Sequence, residues 1–492
     1  MSRTNSGVQR DLGQFDCTLL VVGAVIGADV YVVAAMGSSF LGPAQIVAWL
    51  AAGAFAAIIA LAFVQCATVA PDVGGTYAYA RKAFGPLAGF VAGWALYLGE
   101  WIALPVFPLA FANYLGYFIP GADAAVLRGL AIAFVLAITA INLAGVRAGA
   151  RINDALTIAK LVPLGLLIAA AGLFVLRRPD LAIAHVTPFA PQGWAGFGPA
   201  VLLIFWAYAG FELAVLPASE VRKPALTLPR SLISGMVIVT AVYLLVSGAV
   251  IVAQPSDQIA SSTRPLAEAM GAILSGLGWP GEIGVVLMSI GAVVSIAGVY
   301  DVFTLGIARL SFAMARDGFL PTPFARLSRG GTPWVGLAFQ CVCAVAGTLL
   351  GDIRSLIDAA VFFLGIAYLA TALAALRFVA ADREHRIQVP FLRLLLGLAG
   401  AIGVYLSLQA PLPVLAGGAL AIALGVALFA FRRGAWHDAA GLLDIAAERE
   451  RELAGLAVRF SRPCVPRGRE RRAEANDDRG VRCSYLMRDA GG

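Results

Sequence analysis

Apolar runs of about 18 to 25 residues recur from Phe15 to Phe431, separated by short segments rich in glycine, proline and charge. Each is long enough to cross roughly 30 Å of hydrocarbon. Twelve can be delimited, at residues 14–40, 46–70, 87–119, 124–145, 153–176, 196–217, 231–253, 279–304, 334–350, 355–379, 393–409 and 412–431. No water-soluble fold hides so much apolar surface: 60% of the 492 residues are hydrophobic and only 13% are charged, against about 25% charged in a soluble domain. Mean hydropathy is +0.84. Inside hydrocarbon every backbone N–H and C=O must be satisfied within its own segment, so runs of this kind fold as helices. The chain therefore reads as an all-α polytopic membrane protein with twelve transmembrane helices. The first run lacks the short apolar core and small-residue cleavage site of a signal peptide, and reads as a permanent span.

The distribution of positive charge gives a topology. With both termini in the cytoplasm, the inner loops hold Arg81 and Lys82, Arg147 and Arg151, Arg222, Lys223 and Arg230, Arg309 to Arg329, and Arg377 to Arg393, whereas the outer segments hold only Arg128, Arg177, Arg178, Arg264 and Arg354. This is the positive-inside bias, with Arg177 and Arg178 as its main exception. The domain reading that follows is a cytoplasmic N-terminus (1–13), five spans (14–176), five more (196–379), two closing spans (393–431) and a cytoplasmic tail (432–492). Residues 435–458 alternate apolar and charged positions at helical spacing and read as an amphipathic helix; the Arg-rich remainder reads as disordered. Two connecting stretches are long enough to contain structure, Gln254–Gly278, with a short helix expected over Pro265–Ser275, and the basic stretch from Arg309 to Thr332.

Several function classes can be set aside. The net charge of +7 resides in loops and tail, which reports topology and not a nucleic-acid partner. The cysteines lie in spans or tail, and Cys341 and Cys343 form CxC with no His-rich partner segment, so neither disulfides nor a metal site is expected. There is no P-loop, no His-Glu-x-x-His and no Gly-x-Ser-x-Gly, and His185, His385 and His437 are far apart, so neither a catalytic site nor a cofactor is expected. A transporter, a channel and a membrane solute sensor remain; the partners are the bilayer and a small solute, with a homo-oligomer compatible with the sequence.

Broken helices separate these classes, because a backbone that unwinds at membrane depth is tolerated only where it is buried in protein or lines a cavity. Two runs have the composition for it. The first carries Gly23, Ala24, Gly27, Ala28 and Asp29 near mid-membrane; the sixth carries Trp206, Ala207, Tyr208, Gly210 and Glu212. Gly23 and Gly27 alone would suit close helix packing, but a buried carboxylate costs several kcal/mol unless it meets a cation or water. The correspondence of spans one and six is the pattern of two five-helix inverted repeats, each opening with a discontinuous helix whose freed N–H and C=O groups bind the ends of a zwitterionic solute. Trp206 and Tyr208 would wall off that solute and attract its ammonium through the ring face.

Three stretches carry a family resemblance: Gly74 to Tyr79 with Phe84-Gly85-Pro86; Phe205 to Glu212 followed by Glu220, Lys223-Pro224 and Pro229; and Arg309 with Ala315 to Pro321. Together they resemble the amino acid, polyamine and organocation (APC) superfamily of permeases, with the leucine-transporter-like fold, over about residues 10–431. The resemblance implies secondary transport of an amino acid or polyamine by alternating access, as a proton symporter or as an exchanger. Members usually carry a third glycine where this chain has Asp29; an acid facing the cavity there would, with Glu212, favour cationic solutes. Trp206, Gly210 and Glu212 are similar to the arrangement in basic amino acid and polyamine exchangers.

Lys160 is the only lysine deep within a span, about eight residues or some 12 Å from the cytoplasmic end, a long reach for snorkelling. It is similar to the fifth-span lysine that takes the place of a sodium ion in proton-coupled members, which implies proximity to the first-span break and to the eighth span, where Ser295 is the candidate neighbour. Glu100 and Asp301 are the other intramembrane acids. Either lines the pathway or pairs with a neighbour such as Arg309.

Overall fold

The computed structural model of the chain describes residues 13–27, 29–70, 75–144, 150–214, 224–328, 331–382 and 386–430. Every regular element among them is helical, and eight helices are long and apolar enough to cross a membrane. The expected tail helix, Ala28, Gly74, Glu220 and Lys223 lie outside the described residues.

The first apolar run is three pieces, α1 (Gln14–Val25), α2 (Asp29–Val33) and α3 (Ser38–Leu41), followed by α4 (Gln45–Val69) and α5 (Thr76–Phe84). The third run is α6 (Pro86–Ala103) and α7 (Val106–Leu115), divided at Pro105, where a proline cannot donate to the helical ladder. Then come α8 (Ala124–Ala144), α9 (Ala150–Arg177) and α10 (Pro179–Val186). The sixth run is α11 (Phe197–Phe205), a tight turn Trp206–Tyr208, and α12 (Phe211–Ala214). The rest is α13 (Pro224–Ala253), α14 (Ser256–Ser261), α15 (Pro265–Gly276), α16 (Gly281–Arg316), α17 (Trp334–Leu350), α18 (Ile353–Ala381), α19 (Leu392–Leu408) and α20 (Leu412–Ala430).

α15 falls where a short helix was expected. The basic stretch from Arg309 is different: α16 continues through it to Arg316, because Arg309 and Arg316, seven residues apart, share its exposed side while Ile307, Ser311 and Met314 stay buried. Of the two arginines that depart from the expected charge bias, Arg178 has local partners: its guanidinium donates to Gly276 O at 3.2 Å and lies 4.0 Å from Asp180.

α4 is the spine of the bundle. It packs against α11, α13, α18 and α19, and Trp49, Ala52, Ala56, Ala60 and Val64 run down it fully buried. Small side chains let its neighbours close in. Leu166, Val237, Leu245 and Leu394 face outward and exposed, the surface a lipid solvent requires. Two of the motif stretches meet where α5 abuts the end of α16: Arg81 Nη1 and Tyr77 Oη both reach Asp317 Oδ2, at 2.9 and 2.8 Å, and the guanidinium also lies 5.6 Å over the Phe319 ring.

Candidate functional site

Both expected helix breaks are present. α1 stops at Val25 because Ile26 adopts an extended conformation (φ −73°, ψ 103°) and Gly27 follows it; α2 starts at Asp29. A side chain at Gly27 would bring its Cβ within 2.7 Å of Val299 Cγ2, so glycine is what lets α16 pack against the break. The sixth-run break is made differently. Ala209 is extended (ψ 152°) and Gly210 has φ +109°, a left-handed region that costs any other residue about 1–2 kcal/mol.

The groups freed by these breaks find specific partners. Lys160 Nζ, on α9, donates to Gly23 O in the last turn of α1 at 2.8 Å, placing a cation at the carbonyl end of that helix, where cations are favoured. Glu212 folds back so that Oε2 accepts the Gly210 N–H at 3.1 Å. Thus an N–H that the sequence reading would leave for a solute carboxylate is occupied by the chain's own acid. Tyr243 on α13 donates toward Val25 O at 2.8 Å and Ala207 O at 3.0 Å, one carbonyl from each break.

Charge is concentrated here. Asp29, Glu100, Glu212 and Lys160 are only 3%, 6%, 6% and 9% exposed. The Glu100 carboxyl, on α6, adjoins that of Glu212, and Asp29 lies within electrostatic reach of both Lys160 and Glu212. Three buried acids face one buried amine, and one Glu212 oxygen has no hydrogen-bond partner among the described residues. Burying carboxylates in excess is costly unless protons or a cationic guest neutralise them.

The aromatic residues divide. Trp206 turns toward α7, with its ring 5.5 Å from Phe107. Tyr208 turns toward α4, donates to Trp49 O at 3.0 Å, and packs 5.2 Å from Tyr243. Gly53 permits this approach, since a Cβ there would meet the Tyr208 hydroxyl at 2.9 Å and would also collide with Thr240 Oγ1. Ser295 lies on α16 one turn from Val299, buried, with its hydroxyl unpartnered among the described residues. Asp301 accepts from Asn142 Nδ2 of α8 at 2.7 Å, so Asn142, which the sequence did not single out, is its partner. A recess of about 250 Å³ lies beside the second half of the first run, lined by residues that include Val32, Asn113, Leu203, Thr263 and Arg354.

Two paired helix breaks closed around buried charge are what a solute carrier needs, and comparison with known proteins agrees. The amino acid permease family model matches residues 12–431. The chain belongs to the amino acid permease family. It is thus a member of the APC superfamily, a family of transporters and not of enzymes. A branched-chain amino acid permease of Bacillus subtilis is 27% identical over 82% of this chain and 88% of the relative. A serine/threonine exchanger of the same organism is 28% identical over 79% of this chain and 88% of the relative. An uncharacterised transporter of Mycobacterium tuberculosis is 31% identical over 87% and 92%. The permease is a multi-pass membrane protein that transports amino acids. Sequence reasoning found Lys160 and both breaks from glycines and lone charges in apolar runs, but it missed Tyr243 and the meeting of Glu100 with Glu212. A tyrosine in an apolar run carries no such signal, while the intramembrane acid Glu100 was visible without its partner.

Proposed function

We propose that this permease is a proton-coupled secondary transporter of an amine-bearing solute, an amino acid or a related amine such as a polyamine, working by alternating access in the cell membrane with both termini cytoplasmic. Eight long helices and four shorter apolar ones, Gln14–Gly23, Phe197–Tyr208, Trp334–Leu350 and Leu392–Leu408, support a reading as twelve spans in two inverted five-helix repeats and a closing pair. The observation that carries the reading is the 2.8 Å contact of Lys160 Nζ with Gly23 O. A protonated Lys160 binds the carbonyl end of α1 and holds the break; on losing its proton it releases it, so that proton binding and the shape of the break change together. Ser295, on the helix packed against the same break, is the nearby hydroxyl to which a displaced amine turns.

The solute sits where Gly23, Ala24, Gly27, Ala207 and Gly210 expose backbone. Asp29 and Glu212 hold its amine, backed by Glu100, and Trp206 and Tyr208 close the sides. With the Gly210 N–H taken by Glu212 and three acids present, a cationic solute is favoured over an anionic one. The test is purified protein in liposomes with an inside-alkaline pH gradient, offered labelled leucine, serine, arginine and putrescine. Gradient-driven accumulation supports the symport reading. Uptake only into preloaded vesicles would replace it with exchange, the activity that names the serine/threonine relative.

A further inference from the structure

One side chain touches both breaks. Tyr243 is fully buried about two-thirds of the way along α13, its ring 5.3 Å from that of Trp49 and 5.2 Å from that of Tyr208. Its hydroxyl lies 2.8 Å from Val25 O and 3.0 Å from Ala207 O. A phenol has one proton to give, so these two carbonyls share a single side-chain donor among the described residues. The breaks themselves released these carbonyls. Val25 is the last residue of α1, and Ala207 lies in the turn after which Gly210 N–H goes to Glu212. Beside the buried acids, such carbonyls offer further acceptors to an ammonium group, which brings three donors of its own.

We propose that Tyr243 is a positioning residue for transport: its hydroxyl ties the two broken helices together in the empty protein and yields one of the two carbonyls to the solute's ammonium on binding. This rests on the reading above, in which the breaks receive the amine. The exchange conserves hydrogen bonds, because the phenol keeps one carbonyl while the ammonium takes the other. It carries two opposed consequences. The hydroxyl competes with the solute for its carbonyl and so weakens binding, yet by bridging again when the solute leaves it returns both breaks to a common arrangement and speeds the cycle. The ring is held for this task by its packing against Trp49 and Tyr208.

The decisive measurement is binding and uptake by Tyr243→Phe protein in liposomes, with labelled leucine or arginine as the probe, whichever the wild type carries. The ring is preserved and only the competing donor is lost. We expect Kd to fall about three- to tenfold, the scale of one net hydrogen bond, while the maximal rate falls about tenfold or more, so that KM and turnover drop together. A tyrosine that merely packs would leave affinity unchanged or weaken it, and that result overturns the proposal. Should Tyr243→Phe not fold, 3-fluorotyrosine at position 243, whose hydroxyl is a stronger donor on the same ring, must shift Kd upward; an unchanged Kd overturns the proposal equally. Competition by 4-methylpentanoate against leucine, or by 5-guanidinopentanoate against arginine, separates the layers. If the wild type does not distinguish these amine-free analogues from the probe, the amine reading fails and takes this proposal with it. If the wild type does distinguish them and Tyr243→Phe binds no tighter, the proposal alone fails.

Discussion

The two helix breaks correspond in position within their runs and in composition, each pairing a glycine with an acid two residues on, yet they are held by different forces. The first break is held from outside. Lys160 and Tyr243 reach in from α9 and α13 to Gly23 O and Val25 O, and Gly27 makes room for Val299 of α16. The sixth shares the Tyr243 hydroxyl through Ala207 O but is otherwise held from within. Its glycine takes a φ of +109°, strained for other residues, and its own Glu212 returns to the Gly210 N–H. A break secured by neighbouring helices changes when those helices move or change charge. A break secured by its own backbone keeps its shape while its acid remains available to a guest. On this reading the first break senses protons and the second presents a fixed receptor for the solute.

The sharpest way to break that contrast is Lys160→Ala. A gradient of one pH unit stores about 1.4 kcal/mol per proton, enough for about tenfold accumulation of solute. With Lys160 absent, accumulation in liposomes should vanish while counterflow of preloaded solute persists. Retention of gradient-driven accumulation by Lys160→Ala would remove the first break from proton coupling. Next in size is Glu212→Gln. The amide oxygen can still accept the Gly210 N–H, so the fold of the break survives, but the charge facing the solute is gone. A hydrogen bond to a charged group is worth about 1.5–3 kcal/mol, which predicts a roughly 10- to 100-fold rise in KM for a cationic solute. The same substitution should leave the pH dependence of uptake where it was; movement of that dependence would place proton sensing at the sixth break as well.

How much of this was legible beforehand follows from the same contrast. A glycine beside an acid inside an apolar run is anomalous in sequence, and so is a lone lysine, because membrane burial penalises both unless structure compensates; hence the two breaks and Lys160 could be named in advance. Residues that supply the compensation are not anomalous. Tyr243 is one tyrosine among apolar neighbours, and its importance comes from a hydroxyl meeting carbonyls 218 and 36 positions away in the chain. Glu100 stood out as an intramembrane acid, but its place beside Glu212 depends on how α6 and the sixth run pack, which periodicity does not encode. The arginines from Arg309 onward gave the opposite error. Charge there suggested a connecting loop, whereas the helix simply places Arg309 and Arg316 on one exposed side.

The glycines themselves provide a paired test of intermediate size. Gly27→Ala forces a Cβ against Val299 Cγ2, an overpacking cost of about 1–3 kcal/mol, and Val299→Ala in the same chain should restore most of it. Gly210→Ala instead costs about 1–2 kcal/mol of backbone strain at φ +109°, and no trimming of neighbours should recover it. Thermal unfolding in detergent of the two single variants and of Gly27→Ala with Val299→Ala reads both outcomes. Recovery of Gly210→Ala by a trimmed neighbour would mean that the sixth break, too, is held by packing.

The smallest expected effect is at Ser295. Its hydroxyl is buried without a partner among the described residues, so Ser295→Ala deletes none of their hydrogen bonds and should move stability by less than about 0.5 kcal/mol. Its only opportunity arises when Lys160 leaves Gly23 O, because α16 is the helix packed against that break through Val299. We therefore expect unchanged solute affinity, unchanged thermal stability and a loss of about two- to threefold in gradient-driven uptake, the scale of a weak, transient hydrogen bond. A loss as complete as that of Lys160→Ala would make the hydroxyl an obligatory second stop for the amine, and the first break would then be a relay with two stations. Uptake at the full wild-type rate would leave Gly23 O as the one group at that break whose satisfaction depends on the proton.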